Sequence, residues 1–133
     1  MDTVSAKIDT RLYRTEIKSA SENVLISDEP QELGGKNLGL NPTELLAASL
    51  ASCTVITLRM YINRKQWDVS EIDVKIDFER DSERNVSVFS RKIEVIGNVD
   101  ETQRQRLETI ANSCPIHKTL THSIEIKTTL IQL

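Results

Sequence analysis

The sequence predicts a mixed α+β fold in a single domain spanning residues 1–133. Two patterns and the chain length support this prediction. Residues 41–65 contain the longest uncharged run of the chain, with apolar residues at helical spacing. Apolar and polar residues alternate before and after that run, as in β-strands, and the chain has the length of one domain. The predicted order is three N-terminal strands, a long central helix, two strands, two helices and a final strand.

The first part of the chain is predicted to form a three-stranded meander over residues 3–28. Apolar residues alternate from Val4 to Ile8 and recur in residues 12–17 and 24–26, and the polar SASEN segment (19–23) is expected to be a hairpin turn. Three of the four glycines follow in residues 34–39. We interpret them as an irregular connection, because the lysine and hydroxyl residue that end a phosphate-binding loop are missing.

The central helix has a clear start. Asn41 is a suitable N-cap, Pro42 falls at the first helical position, and Glu44 has the spacing of a capping box. No charge occurs in the fourteen residues from Leu45 to Leu58. This predicts a helix that is buried nearly all round and too short in its uncharged part to span a bilayer.

Cys53 lies in the middle of this helix, in one stripe with other mostly apolar residues: Leu45, Ser49, Ile56 and Met60. A free cysteine in such a place commonly serves as a small packing residue, and apolar burial makes a thiol unreactive. A reactive Cys53 therefore needs a cation from another part of the chain. Arg11 and Arg14, near the first turn, are by themselves typical of solvated surface charges.

Two strands are predicted after the helix, at residues 71–79 and 86–96, with the turn at 80–85. The apolar phase of the second strand changes between Val88 and Phe89, which predicts a bulge. Arg91 and Lys92 are expected on the outer face, where they would offset the acidic residues of the first strand.

A further helix is predicted to start at Asp100, with Gln103 completing a capping box. Its apolar line ends at Cys114, and Pro115 ends or restarts the helix. If a short helix begins there, Cys114 is near its N-cap, a position that favours a thiolate. A final strand is expected over residues 120–130. The spacing of the two cysteines with His117 and His122 matches no structural zinc site, so no metal or cofactor is predicted.

Composition narrows the functional classes. The net charge is −3 and acids and bases are interleaved, so no basic patch for nucleic acid is predicted. The first residues lack the apolar segment of a signal peptide, which leads us to expect a cytoplasmic protein. A static disulfide is unusual in a reducing compartment.

Three segments together resemble the OsmC/Ohr family, the osmotically inducible and organic-hydroperoxide-resistance proteins: ELGGK (32–36), NPTELLAASLASC (41–53) and the Cys-Pro of CPIHKTL (114–120). The resemblance covers essentially the whole chain. It implies an OsmC-like α+β fold and an intertwined homodimer, which would explain how little core material precedes Leu45.

The resemblance also implies a thiol peroxidase. Cys53 would attack a small organic hydroperoxide, and Cys114 would resolve the resulting sulfenic acid as a disulfide that a dithiol reductant reopens. The family places an N-terminal arginine beside the nucleophile, here Arg11 or, second in register, Arg14. We expect the binding residues to be Leu50, Met60 and His117.

The chain departs from the best-characterised hydroperoxide-resistance members in two places. Thr43 occupies the position of their glutamate, and Glu44 comes one residue later, about 100° further around the helix. Ile116, His117 and Lys118 replace a small hydroxyl residue after the Cys-Pro pair. Both features resemble the broader OsmC-like branch.

Three functional hypotheses remain open from the sequence. The first is the thiol-dependent peroxidase. The second is a non-peroxidatic module that binds a small molecule or senses redox state. The third is a hydrolase or acyl transferase that uses Cys53 with His117 as its base, which requires the two side chains to be within hydrogen-bond reach.

Overall fold

The computed structural model describes all residues from 1 to 133. Its helices and strands follow in the order β1 (Val4–Lys7), β2 (Thr15–Ser19), β3 (Val24–Ser27), α1 (Pro42–Lys65), β4 (Asp68–Asp81), β5 (Val86–Asn98), α2 (Glu101–Ala111) and α3 (Pro115–Leu120). This confirms the predicted α+β class and the order of elements as far as the second short helix. The chain divides into two compact units, residues 1–48 and residues 49–133. The single domain stays a prediction.

The first unit contains the predicted meander, an antiparallel sheet in the order β1-β2-β3. The SASEN turn is confirmed: Glu22 has a positive φ of 68° and its N–H donates to the Ser19 carbonyl at 3.0 Å. Strand β2 begins at Thr15 rather than at residue 12. Just before it, the Tyr13 N–H donates to the Asp28 carboxylate instead of to a neighbouring strand.

Asp28 organises the glycine-rich connection that follows the meander. Asp28 is only 2% exposed. The carboxylate accepts hydrogen bonds at 2.8–3.2 Å from four backbone N–H groups: those of Tyr13, Glu29, Lys36 and Leu38. A Cβ at Gly35 would lie 2.0 Å from the Glu29 carbonyl oxygen, so this connection needs glycine there. The interpretation as an irregular connection is confirmed.

Helix α1 starts with the predicted capping box. The Glu44 N–H donates to Asn41 Oδ1 at 2.8 Å, and the Asn41 N–H donates to Glu44 Oε1 at 2.9 Å. The prediction that α1 is buried nearly all round is wrong. Its buried residues form one stripe: Leu50, Thr54, Leu58, Tyr61 and Ile62. Leu46, Ile56 and Met60 are 44%, 50% and 68% exposed, because the chain covers only that stripe.

By length and composition alone, α1 is apolar enough to cross a membrane over an 18-residue window, 28% of which is buried. The sequence-based expectation considered only the uncharged residues 45–58, which are too few to span a bilayer, and so differs from this finding. A core helix meets the same criterion, and the second unit packs the last half of α1 into its core.

Strands β4 and β5 form an antiparallel hairpin that supplies one wall of that core. Four half-buried cross-strand pairs share the face directed at the helices: Ile72–Val95, Val74–Ile93, Ile76–Arg91 and Phe78–Phe89. Ile72, Ile93 and Val95 pack against the buried cluster of Leu58, Tyr61, Ile62, Val69, Leu107 and Ala111. The core therefore joins α1, the hairpin and α2.

Two expectations for the hairpin are wrong. Arg91 shares the face of Ile93 and lies opposite Ile76, not on the outer face. The register from Val86 to Ile96 is continuous, and the irregularity lies between Val69 and Glu71 instead. Adjacent apolar residues at 88 and 89 reflect a half-buried Val88 on the outer face rather than a bulge.

Helix α2 begins with the predicted capping box of Asp100 and Gln103. The predicted final strand is absent: residues 123–133 belong to no helix or strand. A strand needs a neighbouring backbone to pair with, and no strand of the chain pairs with this segment. Five of its apolar residues are exposed: Ile124, Ile126, Leu130, Ile131 and Leu133.

Candidate functional site

Cys53 is a free, half-buried thiol on α1. It lies beside the buried stripe of the helix rather than on it, because the neighbouring residue Thr54 occupies that stripe. Its Sγ is 4.0 Å from Thr57 Oγ1, one turn along the helix. The packing interpretation expected full burial in apolar surroundings. The residue is instead partly exposed.

Cys114 is a free thiol that is fully buried. It is the N-cap of α3 with Pro115 in the first turn, as predicted. The His117 N–H donates to Cys114 Sγ at 3.3 Å. The buried sulfur is therefore fixed in place as the cap of α3.

Arg91 connects the segments that carry the two thiols. One guanidinium nitrogen donates to Thr54 Oγ1 at 3.0 Å. The other donates to Asn112 Oδ1 at 2.9 Å and to His117 Nδ1 at 3.1 Å. Arg91 therefore bonds both Thr54, the residue after Cys53, and His117, the residue whose N–H bonds Cys114. None of its three acceptors is a carboxylate.

His117 is held in one tautomer by this contact. Arginine has only donors, so Nδ1 must accept and the proton of the neutral imidazole is on Nε2. Burial, with a smaller contribution from the charge of Arg91, lowers the pKa of His117 below its ordinary value. A ring whose acceptor nitrogen already accepts a hydrogen bond from Arg91 is poorly placed to be a base. No hydrogen bond joins it to Cys53, which removes support for the hydrolase hypothesis.

The two predicted N-terminal cations lie in the first unit. Arg11 is exposed and forms a bidentate ion pair with the carboxylate of Asp9, at 2.9–3.2 Å. The hydrogen bonds from Arg11 hold the pKa of Asp9 below its ordinary value. Arg14 is half-buried. A role for either residue beside Cys53 stays a prediction.

The predicted binding residues differ in their surroundings. Leu50 is 5% exposed, Met60 is 68% exposed, and His117 is half-buried against Arg91. Of the three, only Met60 lies on the open side of α1, in the stripe of Cys53. Their role in ligand binding stays a prediction. No three histidine, cysteine or acidic side chains converge where they could hold a metal ion.

The predicted site did not include three residues that the structure brings together: Arg91, Thr54 and Asn112. A signal for Arg91 was available, because two-residue steps along β5 place it in phase with Phe89, Ile93 and Val95. A charged residue is costly to bury, so packing alone does not explain its presence in an apolar series. Thr54 and Asn112 carry no comparable signal in the sequence.

Comparison with known proteins identifies the relationship. Residues 34–129 match the model of the OsmC-like protein family. No curated protein matches the chain. Several solved structures share its fold. One is a protein from Psychrobacter arcticus 273-4, provisionally described as an osmotic stress induced and detoxification response protein; it is 24% identical, with 90% of this chain and 88% of that chain covered and a TM-score of 0.77.

Two further structures extend this comparison. The OsmC-like protein from Mycoplasma pneumoniae is 16% identical, with coverages of 91% and 87% and a TM-score of 0.76. The organic hydroperoxide resistance protein OhrB of Bacillus subtilis is 21% identical, with coverages of 90% and 89% and a TM-score of 0.60. At these identities the structures support the fold, and the family match covers most of the chain. The chain belongs to the OsmC-like protein family.

Proposed function

We propose that this chain is a thiol-dependent peroxidase that reduces small organic hydroperoxides. The observation that carries the proposal is the pair of free thiols, one half-exposed and one buried at a helix N-cap, whose segments share Arg91. Membership in a family that includes organic hydroperoxide resistance proteins supports the same chemistry.

The proposed cycle has two protein steps. The Cys53 thiolate attacks the peroxide oxygen, the O–O bond breaks, and the alkoxide takes a proton to leave as an alcohol while the sulfur becomes a sulfenic acid. The Cys114 thiolate then attacks that sulfur. An S–S bond forms, the S–O bond breaks, and hydroxide leaves and is protonated to water. A dithiol reductant returns both thiols to the reduced state.

The surroundings of Cys53 fit an apolar substrate better than hydrogen peroxide. Ile56 and Met60 follow Cys53 at three and seven residues, so they lie on its side of the helix. They are 50% and 68% exposed. An alkyl or aryl group on the hydroperoxide would cover this apolar surface and gain burial.

We further propose that the working form is a cytoplasmic homodimer. Large apolar side chains are exposed in both units, including Val4 and Val24 in the first and Ile124 and Ile126 in the second. A second copy of the chain would remove such surface from water. Sedimentation of the purified protein at several concentrations tests this state.

Turnover of an organic hydroperoxide with dithiothreitol tests the proposed activity. Cys53→Ser should abolish consumption of cumene hydroperoxide, because a hydroxyl of ordinary acidity cannot replace the thiolate. Cys114→Ser should still complete the first oxidation and accumulate the sulfenic acid. Unchanged turnover in Cys53→Ser would refute the proposed activity, and Cys114→Ser serves as the matched thiol variant.

A second candidate is a module that binds a small molecule or senses redox state without efficient turnover. Two observations favour it: Thr43 stands where characterised peroxidases carry glutamate, and the Arg11 charge is engaged by Asp9. This candidate predicts slow alkylation of Cys53 at neutral pH. Rapid labelling at pH 6 would instead indicate a reactive thiolate and contradict it.

A further inference from the structure

We propose that Arg91 is a positioning residue for the resolving step. Its guanidinium holds α3, which carries Cys114, in a fixed orientation against α1, which carries Cys53. The inference rests on the proposed function, because it assigns Arg91 to the reaction between those two sulfurs.

The location of Arg91 on the hairpin is the first argument. Three of the four half-buried cross-strand pairs on the inner face are wholly apolar, and Arg91 is the charged member of the fourth, opposite Ile76. A cation that is half-buried without a carboxylate partner is unfavourable unless its donors are satisfied.

The acceptors of Arg91 are the second argument. They come from three different elements: Thr54 from α1, Asn112 from the end of α2 and His117 from α3. Each contact is 2.9–3.1 Å long. A planar fork that bonds three elements at once fixes their relative orientation more tightly than an ammonium group could.

The link from Arg91 to each sulfur is the third argument. Thr54 is fully buried, so its position fixes the helix turn that presents Cys53. His117 accepts from Arg91 through its ring and donates to Cys114 Sγ through its backbone N–H at 3.3 Å. His117 therefore connects the Arg91 guanidinium to the N-cap at Cys114.

Single-turnover measurements separate positioning from general structural support. Reduced protein receives one equivalent of cumene hydroperoxide. Loss of hydroperoxide reports the first step, and dimedone trapping against disulfide formation reports the second. In Arg91→Met the first step should stay within about twofold, because the proposed nucleophile is intact. The second step should slow roughly 10–100-fold, the cost of about 1 Å of misplacement.

Matched variants distinguish geometry from charge. Arg91→Lys keeps the charge but not the fork, so it should resemble Arg91→Met. His117→Asn keeps an acceptor near the Nδ1 position and should resolve normally, whereas His117→Leu should not. Arg84→Met removes an exposed arginine of the hairpin turn and should change neither step. If Arg91→Lys forms the disulfide at the wild-type rate, positive charge alone is sufficient and the positioning role is overturned.

A second readout does not depend on hydroperoxide turnover. Equilibration in buffers of known ratio of reduced to oxidised glutathione measures the effective concentration of the Cys53 and Cys114 thiols relative to each other. This value should fall by a similar factor in Arg91→Met and His117→Leu. If hydroperoxide is consumed but this value is unchanged in the variants, the positioning role fails and the peroxidase stands. If no hydroperoxide is consumed but the value falls, the positioning role stands and the peroxidase fails. A wild-type chain that forms no such disulfide overturns both.

Discussion

The guanidinium of Arg91 donates to Nδ1 of His117 across 3.1 Å, from a β-strand to a six-residue helix. This contact fixes the His117 ring in the Nε2–H tautomer and connects it to the helix of Cys53 through Thr54.

The pH dependence of stability should report on His117. Its pKa is lowered from the ordinary value of 6.5, chiefly by burial and then by the charge of Arg91. As pH falls below 6.5 the unfolded chain gains a proton that the folded chain resists, so the folded state loses stability until the pH passes the lowered pKa. Above 6.5 the group contributes no slope.

Urea unfolding of the wild type and His117→Asn from pH 7.5 to pH 5 measures this effect. Asparagine keeps an acceptor but does not titrate. The wild type should lose stability relative to the variant as the pH falls. Parallel curves would show that burial at this position does not shift the titration.

The oxidised protein should be more stable than the reduced protein. A Cys53–Cys114 disulfide would close a loop of about 60 residues, worth roughly 4 kcal/mol in the chain-entropy model. Guanidinium unfolding before and after one equivalent of oxidant measures the difference. Cys114→Ser treated in the same way should show no increase, and an equal increase in that variant would exclude this disulfide as the cause.

The two thiols should react with an alkylating reagent in a fixed order. Cys53 is half-buried, whereas Cys114 is fully buried at its helix cap. Iodoacetamide should therefore modify Cys53 in the folded protein and Cys114 only after local opening. Mass spectrometry of peptides over a time course gives the order, and urea should abolish the difference. Earlier modification of Cys114 would contradict the structure.

The buried hydroxyl of Thr54 should contribute to stability. It donates to the Leu50 carbonyl at 2.7 Å and accepts from Arg91. Thr54→Val keeps the shape but leaves the guanidinium one acceptor short, which should cost roughly 1–3 kcal/mol of unfolding free energy. Thr57→Val, one turn further along α1, is the matched control and should cost less. Equal losses would mean that the Arg91 contact adds nothing.

Asp28 should stabilise the first unit in a pH-dependent way. Burial alone would raise the pKa of Asp28, but its four backbone donors outweigh that effect and hold the pKa below 3.8. The contribution is complete above pH 3.8 and is lost as the pH falls through the lowered pKa. Asp28→Asn should unfold at lower urea than wild type at pH 7, with a smaller difference in strong acid. Asp73→Asn, on the exposed face of β4, controls for loss of charge.

Local signals in the sequence were reliable predictors of this fold. The caps at Asn41 and Asp100 were predicted correctly because a capping box depends on residues three positions apart. The N-cap position of Cys114 followed from the proline beside it. Each of these features is decided within a few residues of chain.

Features that depend on distant packing could not be obtained in the same way. Helix α1 has apolar residues on every side, so the sequence does not indicate which stripe the hairpin covers. The face of Arg91 was wrongly assigned because Val88 and Phe89 are both apolar and left the strand phase ambiguous. Its acceptors lie 21 to 37 residues away in sequence, beyond the reach of any periodicity.

Residues 123–133 should make the protein susceptible to proteolysis or aggregation, depending on its concentration. Their alternating isoleucines were predicted to form a strand, yet in one chain the segment is unpaired and its apolar side chains are exposed. An unpaired apolar segment readily adds to the edge of another sheet. In a dilute solution the segment should be cleaved readily by proteases. In a concentrated solution it should promote aggregation. We therefore expect a second backbone that pairs with this segment to raise the yield of soluble protein.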